Sequence, residues 1–113
     1  MSDILENVKL AAKAIDDKKG LDIKILNITG LSPLADYFVL ATGSNPNQLH
    51  AISDAVLEEL SKSGKHPSQI EGYQSANWIL MDYGDFMVHI FSEEARDFYK
   101  LERIWKDAKT EEF

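Results

Sequence analysis

Gly43-Ser44, closing an apolar run and followed by Asn45-Pro46, is where phosphate chemistry would find a foothold in this chain. Small residues let backbone amides approach phosphates at the N-terminus of a helix. Nucleotidyl transfer would also need two carboxylates one residue apart, holding magnesium ions that neutralise the attacking and leaving oxygens. The sequel is Asp54-Ala55-Val56, with Val56 where the second acid belongs, and Asp54 falls mid-helix, where an ordinary solvated role explains it. Asp82 and Asp85 are the other pair. They flank Gly84 and could meet a metal or a basic side chain, but Asp also caps turns by accepting from nearby amides, and Gly supplies a left-handed turn residue. With no histidine or third acid at ligand spacing, a Lys or Arg suits them better than a metal. His50, His66 and His89 are scattered and form no His-x-x-x-His pair, and there is no Gly-x-Ser-x-Gly elbow to anchor a serine triad. The chain has no cysteine, which removes thiol nucleophiles, thiolate metal sites and disulfides. The expectation is a protein with no catalytic residue, no cofactor and no metal.

What stands out instead is apolar: Trp78-Ile79-Leu80-Met81-Asp82-Tyr83-Gly84-Asp85-Phe86-Met87-Val88-His89-Ile90-Phe91, then Tyr99, Leu101 and Trp105. On the first strand Trp78, Leu80 and Asp82 share one face while Ile79 and Met81 share the other. One face must be core, and alternation alone leaves open which. His89, out of phase with Val88 and Ile90, belongs to a sheet face in either a structural or a partner-facing role. Large aromatics usually fill cores, yet this supply exceeds what a small sheet buries. Exposed clusters of this kind mark binding surfaces, where Trp, Tyr and Arg dominate the energetics.

Ile4, Leu5, Val8, Ala11, Ala12 and Ile15 fall on one helical face, with Asp3 and Glu6 as a capping pair and Gly20 as the stop. Leu21 to Ile25 alternates like a half-buried strand, 30–36 reads as a connection, and Tyr37 to Ala41 is apolar on both faces like a central strand. Asn45 caps, and Pro46 begins, a second helix carrying Leu49, Ile52, Val56, Leu57 and Leu60 and closing near Ser63-Gly64. A linker over 65–69, a short strand at Ile70-Glu71-Gly72, the hairpin over 77–91 and a helix capped by Ser92 and running through Trp105 complete the order α-β-β-α-β-β-β-α. The expected class is α/β (α+β): a single mixed sheet flanked by helices, with residues 1–113 as one domain.

The composition, 44% hydrophobic and 27% charged, is that of a globular protein, and no apolar run approaches the roughly 20 residues of a membrane span. A net charge of −7 disfavours direct nucleic-acid binding, which needs clustered cations to displace counterions, and favours a basic protein partner. The acidic opening lacks the marks of a secretory or organelle leader, so a cytoplasmic protein is expected.

Three blocks carry a family resemblance: Leu31-Ser32 with Ala35-Asp36-Tyr37-Phe38-Val39-Leu40-Ala41-Thr42-Gly43, the hairpin from Trp78 to Phe91, and Arg96 with Tyr99-Lys100-Leu101-Glu102-Arg103-Ile104-Trp105. In this order the chain resembles the ribosomal silencing factors, the RsfS/Iojap family, over nearly its whole length. The resemblance implies a nucleotidyltransferase-like fold without the active site. It also implies a non-enzymatic factor that binds the large-subunit ribosomal protein L-fourteen, blocks joining of the small subunit and represses translation when nutrients are short. Large-subunit assembly and homodimers are further traits of related members. By resemblance the contact falls on Trp78, Leu80, Asp82 and Asp85, with His89, Tyr99, Glu102 and Trp105 behind or beside them. Where many members carry Ser-Ser-Arg-His after the Thr-Gly pair, this chain has Asn45-Pro46-Asn47-Gln48, which removes a basic contact at that helix start.

Overall fold

The computed structural model describes residues 3–100, 103 and 106–113. Six strands form one mixed sheet: β1 (Leu21–Asn27), β2 (Tyr37–Gly43), β3 (Gln69–Glu71), β4 (Trp78–Asp82), β5 (Phe86–Ser92) and β6 (Lys109–Glu111), in the spatial order β3-β4-β5-β2-β1-β6. β2 and β5 pair in parallel, and every other neighbouring pair is antiparallel. The helices are α1 (Asp3–Asp17), α2 (Pro46–Ser61) and α3 (Glu93–Tyr99).

The class and the order of the first eight elements match the sequence expectation, and one strand is added. β6 is a three-residue polar stretch on the edge beside β1, too short and too charged for periodicity to reveal. The expected helix from Ser92 through Trp105 is interrupted at Lys100, and most of its remainder lies outside the described residues. Lys100 adopts a left-handed conformation (φ 49°, ψ 52°) and its amide donates to the Arg96 carbonyl, ending α3 at Tyr99. At the first helix it is Lys19 (φ 63°) that takes the left-handed position, one residue before the expected stop.

α1 and α2 cover one face of the sheet. Val8, Ala11, Ala12 and Ile15 meet Leu49, Ile52, Val56 and Leu60 over Ile25, Val39, Ala41, Ile79, Met81, Phe86, Val88 and Ile90. Ile79 and Met81 are therefore the core face of β4, each contributing about 1.5–3 kcal/mol by burial. The opposite face carries a smaller cluster of Leu26, Phe38, Leu40 and Phe91, roofed by Ile28 and Ala35 of the β1–β2 connection and by Ala95 of α3. β2 lies between β5 and β1 and contributes to both cores, which explains its unbroken apolar run.

Arg96 fastens α3 to the sheet. It is 8% exposed, and its guanidinium donates to the Thr42 hydroxyl at 2.9 Å and to the Asp22 carbonyl at 2.8 Å. Asp22 sits at φ 49°, within the irregular stretch where the β1–β2 register shifts between Leu21 and Lys24. The bulge thus presents a carbonyl to a buried cation. Arg96→Met would leave two polar groups without their donor, and we expect a loss of about 2–4 kcal/mol of unfolding free energy in urea titrations.

Candidate functional site

Among the described residues, the outer face of β4 and the adjoining end of α3 carry apolar side chains that are only partly covered. Because the strand period is two, placing Ile79 and Met81 in the core turns Trp78, Leu80 and Asp82 to the opposite side, where all three are half-buried. Across the hairpin Trp78 pairs with Phe91, Leu80 with His89 and Asp82 with Met87. Trp78 packs on Phe91 (ring centroids 5.1 Å apart) and on Tyr99 of α3 (4.7 Å). Tyr99 in turn meets Phe98 edge to face at 5.0 Å. Trp78, Tyr99 and Phe98 form a continuous aromatic strip whose exposure rises outward, Tyr99 being 43% and Phe98 78% exposed. The strip exists because Ser92, whose hydroxyl accepts from the Ala95 amide and donates to Asn77, caps α3 directly after β5 and folds it back beside β4.

The two aspartates of the hairpin turn differ in use. Asp82 Oδ1 accepts from the Gly84 amide at 2.8 Å, the turn-capping role, while Gly84 takes φ 87°. Asp85 is exposed and lies 3.8 Å from Lys65 Nζ, so a basic side chain is the neighbour found for it. Tyr83 anchors the turn from within, stacked on Phe86 at 5.0 Å, and burial pushes its phenol up to about 12.

His89 is 4% exposed and lies beneath this surface, not on it. Trp78 Nε1 donates to His89 Nδ1 at 3.0 Å, and the Phe38 ring stands edge-on to the imidazole at 4.6 Å. The expectation set His89 behind or beside the contact residues, and it lies behind Trp78. Of the other residues named from resemblance, Tyr99 joins the strip, while Glu102 and Trp105 lie outside the described residues. The sequence reading did not single out Phe98. Its only signal was an apolar residue beside Tyr99 in a capped helix, which does not tell a core aromatic from an exposed one.

The alternative site at Gly43-Ser44 is closed by its own side chains. Asn45 Oδ1 accepts from the Gln48 amide at 2.9 Å, and Gln48 Oε1 accepts from the Ser44 amide. The Ser44 and Gln48 amides are thus taken, and Asp54 accepts from the Tyr73 hydroxyl at 3.0 Å. No group of three or more His, Asp or Glu side chains placed to hold a metal occurs among the described residues. No helix among them is long and apolar enough to cross a membrane.

Burial holds the His89 imidazole down to about 4, so the folded chain keeps the ring neutral while the unfolded chain titrates near 6.5. Below 6.5 the unfolded state binds a proton that the folded state refuses. The stability contribution is therefore complete above that pH and is lost as pH falls toward 4, by up to about 3 kcal/mol. Urea unfolding at neutral and acid pH should show a smaller acid loss in His89→Phe than in the wild type, by about this amount.

The sequence profile described as "Ribosomal silencing factor during starvation" matches residues 1–113. The Ribosomal silencing factor RsfS of Halalkalibacterium halodurans is 38% identical over 107 residues, covering 95% of this chain and 92% of the relative. A crystal structure of a Chromobacterium violaceum protein superposes with a TM-score of 0.89 at 34% identity, covering 98% of this chain and 92% of that one. A more distant relative from Mus musculus, "Mitochondrial assembly of ribosomal large subunit protein 1", is 26% identical over 106 residues, 88% of this chain and 45% of the relative. With the family profile matched along the whole chain and this fold shared, the protein belongs to the RsfS family of ribosomal silencing factors.

Proposed function

We propose that this protein, acting as a single non-enzymatic domain in the cytoplasm, binds ribosomal protein L-fourteen of the large subunit and sterically blocks joining of the small subunit. The observation that carries this reading is the aromatic strip of Trp78, Tyr99 and Phe98 with Leu80 beside it, on the sheet face that α1 and α2 leave uncovered. Trp78 and Leu80 supply apolar burial at the centre, and Asp85 at the rim meets basic side chains of the partner. Glu102 and Trp105 belong to the same proposed contact by family resemblance. Repression needs no chemistry: a standard interface of about 800 Å² per partner is enough to occupy a surface that the small subunit must reach. The self-capped start of α2 supports this reading over a nucleotidyltransferase-like one. A homodimer of the free protein is compatible with the same face.

A second reading, that large-subunit assembly is the main task, is favoured by the name of the mouse relative. Growth-phase-resolved ribosome profiles of a deletion strain separate the two. Accumulated assembly intermediates in fast growth would indicate maturation, and excess joined ribosomes in starvation would indicate silencing.

Light scattering during reassociation of purified subunits tests the main reading. The wild type is expected to lower association in a dose-dependent way. Folded Trp78→Ala should need roughly thirtyfold more protein, the equivalent of about 2 kcal/mol of binding. Wild-type protein without effect at saturation, at low and moderate salt, would rule out direct silencing. Because the protein carries a net charge of −7, the rate of binding to a basic partner should fall several-fold between low and moderate salt, with little change in dissociation, in stopped-flow traces.

A further inference from the structure

The imidazole of His89 has polar capacity that the fold itself barely uses. Trp78 Nε1 donates to Nδ1 at 3.0 Å, so Nδ1 is the unprotonated nitrogen and the neutral ring carries its proton on Nε2. Nε2 has no hydrogen-bond partner among the described residues. Around the ring stand Phe38 at 4.6 Å, Phe91 at 6.0 Å and the cross-strand neighbours Leu80 and Leu40. A phenyl ring would suit this apolar setting better and would spare a buried unpaired donor, which costs about 1–3 kcal/mol. What a phenyl ring cannot do is accept the indole proton.

We propose that His89 is a positioning residue of the docking surface, holding the Trp78 indole through Nδ1 in the orientation that the partner meets. The proposal rests on the docking reading above. Trp78 is half-exposed, and without a fixed acceptor its N–H could turn to water and the ring could leave the Tyr99 contact at 4.7 Å. With the acceptor buried beneath it, the indole is set before binding, so less side-chain freedom is lost on association.

Two readouts separate this inference from the docking reading. The first needs no partner: the indole N–H resonance of Trp78 in a ¹⁵N-labelled protein, assigned by its loss in Trp78→Phe. His89→Phe is expected to move it away from its hydrogen-bonded position. His89→Asn, whose amide oxygen lies near the place of Nδ1, should keep it there, and His89→Gln, whose polar end reaches toward the place of Nε2, should not. The second is inhibition of subunit reassociation, where His89→Phe should need about three- to tenfold more protein, matching one neutral hydrogen bond, and His89→Asn should recover most of that loss. An unmoved indole resonance in His89→Phe overturns the proposal even if the wild type silences ribosomes. A moved resonance with unchanged inhibition also overturns it, by showing that the bond does not serve docking. If His89→Phe fails to fold, the contrast between His89→Asn and His89→Gln decides alone, and equal behaviour of the two overturns the proposal. A wild type without ribosomal effect but with the expected resonance shifts would fault the docking reading and leave the Trp78–His89 bond standing.

Discussion

The parallel pairing of β2 with β5 is the constraint on which the remainder of the molecule depends. Parallel neighbours cannot be joined by a tight turn, so the chain must travel between them, and here the intervening segment supplies α2, β3 and β4. α2 lies with α1 on one face and buries the larger core. β4 returns antiparallel along β5 and so gains one face in that core and one face away from it. On the second side, among the described residues, the seven residues of α3 roof part of the sheet. Among the described residues two helices thus lie on one face and the short α3 on the other, where the aromatic strip is exposed.

The two faces also differ in how they treat polar groups. The α1/α2 core is almost wholly apolar; its buried hydroxyls are those of Ser53, which donates to the Met81 sulfur at 3.7 Å, and of Tyr83, which has no hydrogen-bond partner among the described residues. On the other side lie the buried Arg96 with Thr42 and the Asp22 carbonyl, and the buried His89 with Trp78. Burying such groups costs free energy unless each finds a partner, so they are poor material for a core but effective at fixing geometry. Each joins a feature of the open face to the sheet beneath: Arg96 fixes α3, and His89 fixes the indole of Trp78.

Membership of the RsfS family brings these features into one picture. At the α2 start Asn45 and Gln48 accept from backbone amides, while the outer hairpin face carries Trp78 packed on Tyr99.

Much of the architecture was legible in the chain because it rests on local rules. Helical spacing in α1 and α2, the Asn45-Pro46 start, the Ser92 cap and the doubly apolar β2 are written in neighbouring residues and reappear in the structure. Alternation divided β4 into Trp78-Leu80-Asp82 and Ile79-Met81 but could not say which set was core, because both are apolar enough and the answer depends on where α1 and α2 dock. The polar β6 and the left-handed Asp22 escaped for a similar reason: each is paired with residues far along the chain. By itself the sequence determined the first eight elements, the family and the absence of cysteine chemistry, since these follow from residue identity and short-range order. Only the tertiary structure decided that Trp78 faces outward, that His89 lies under it and that Phe98 extends its strip, because burial is settled by what packs across a sheet and not by what adjoins along the chain.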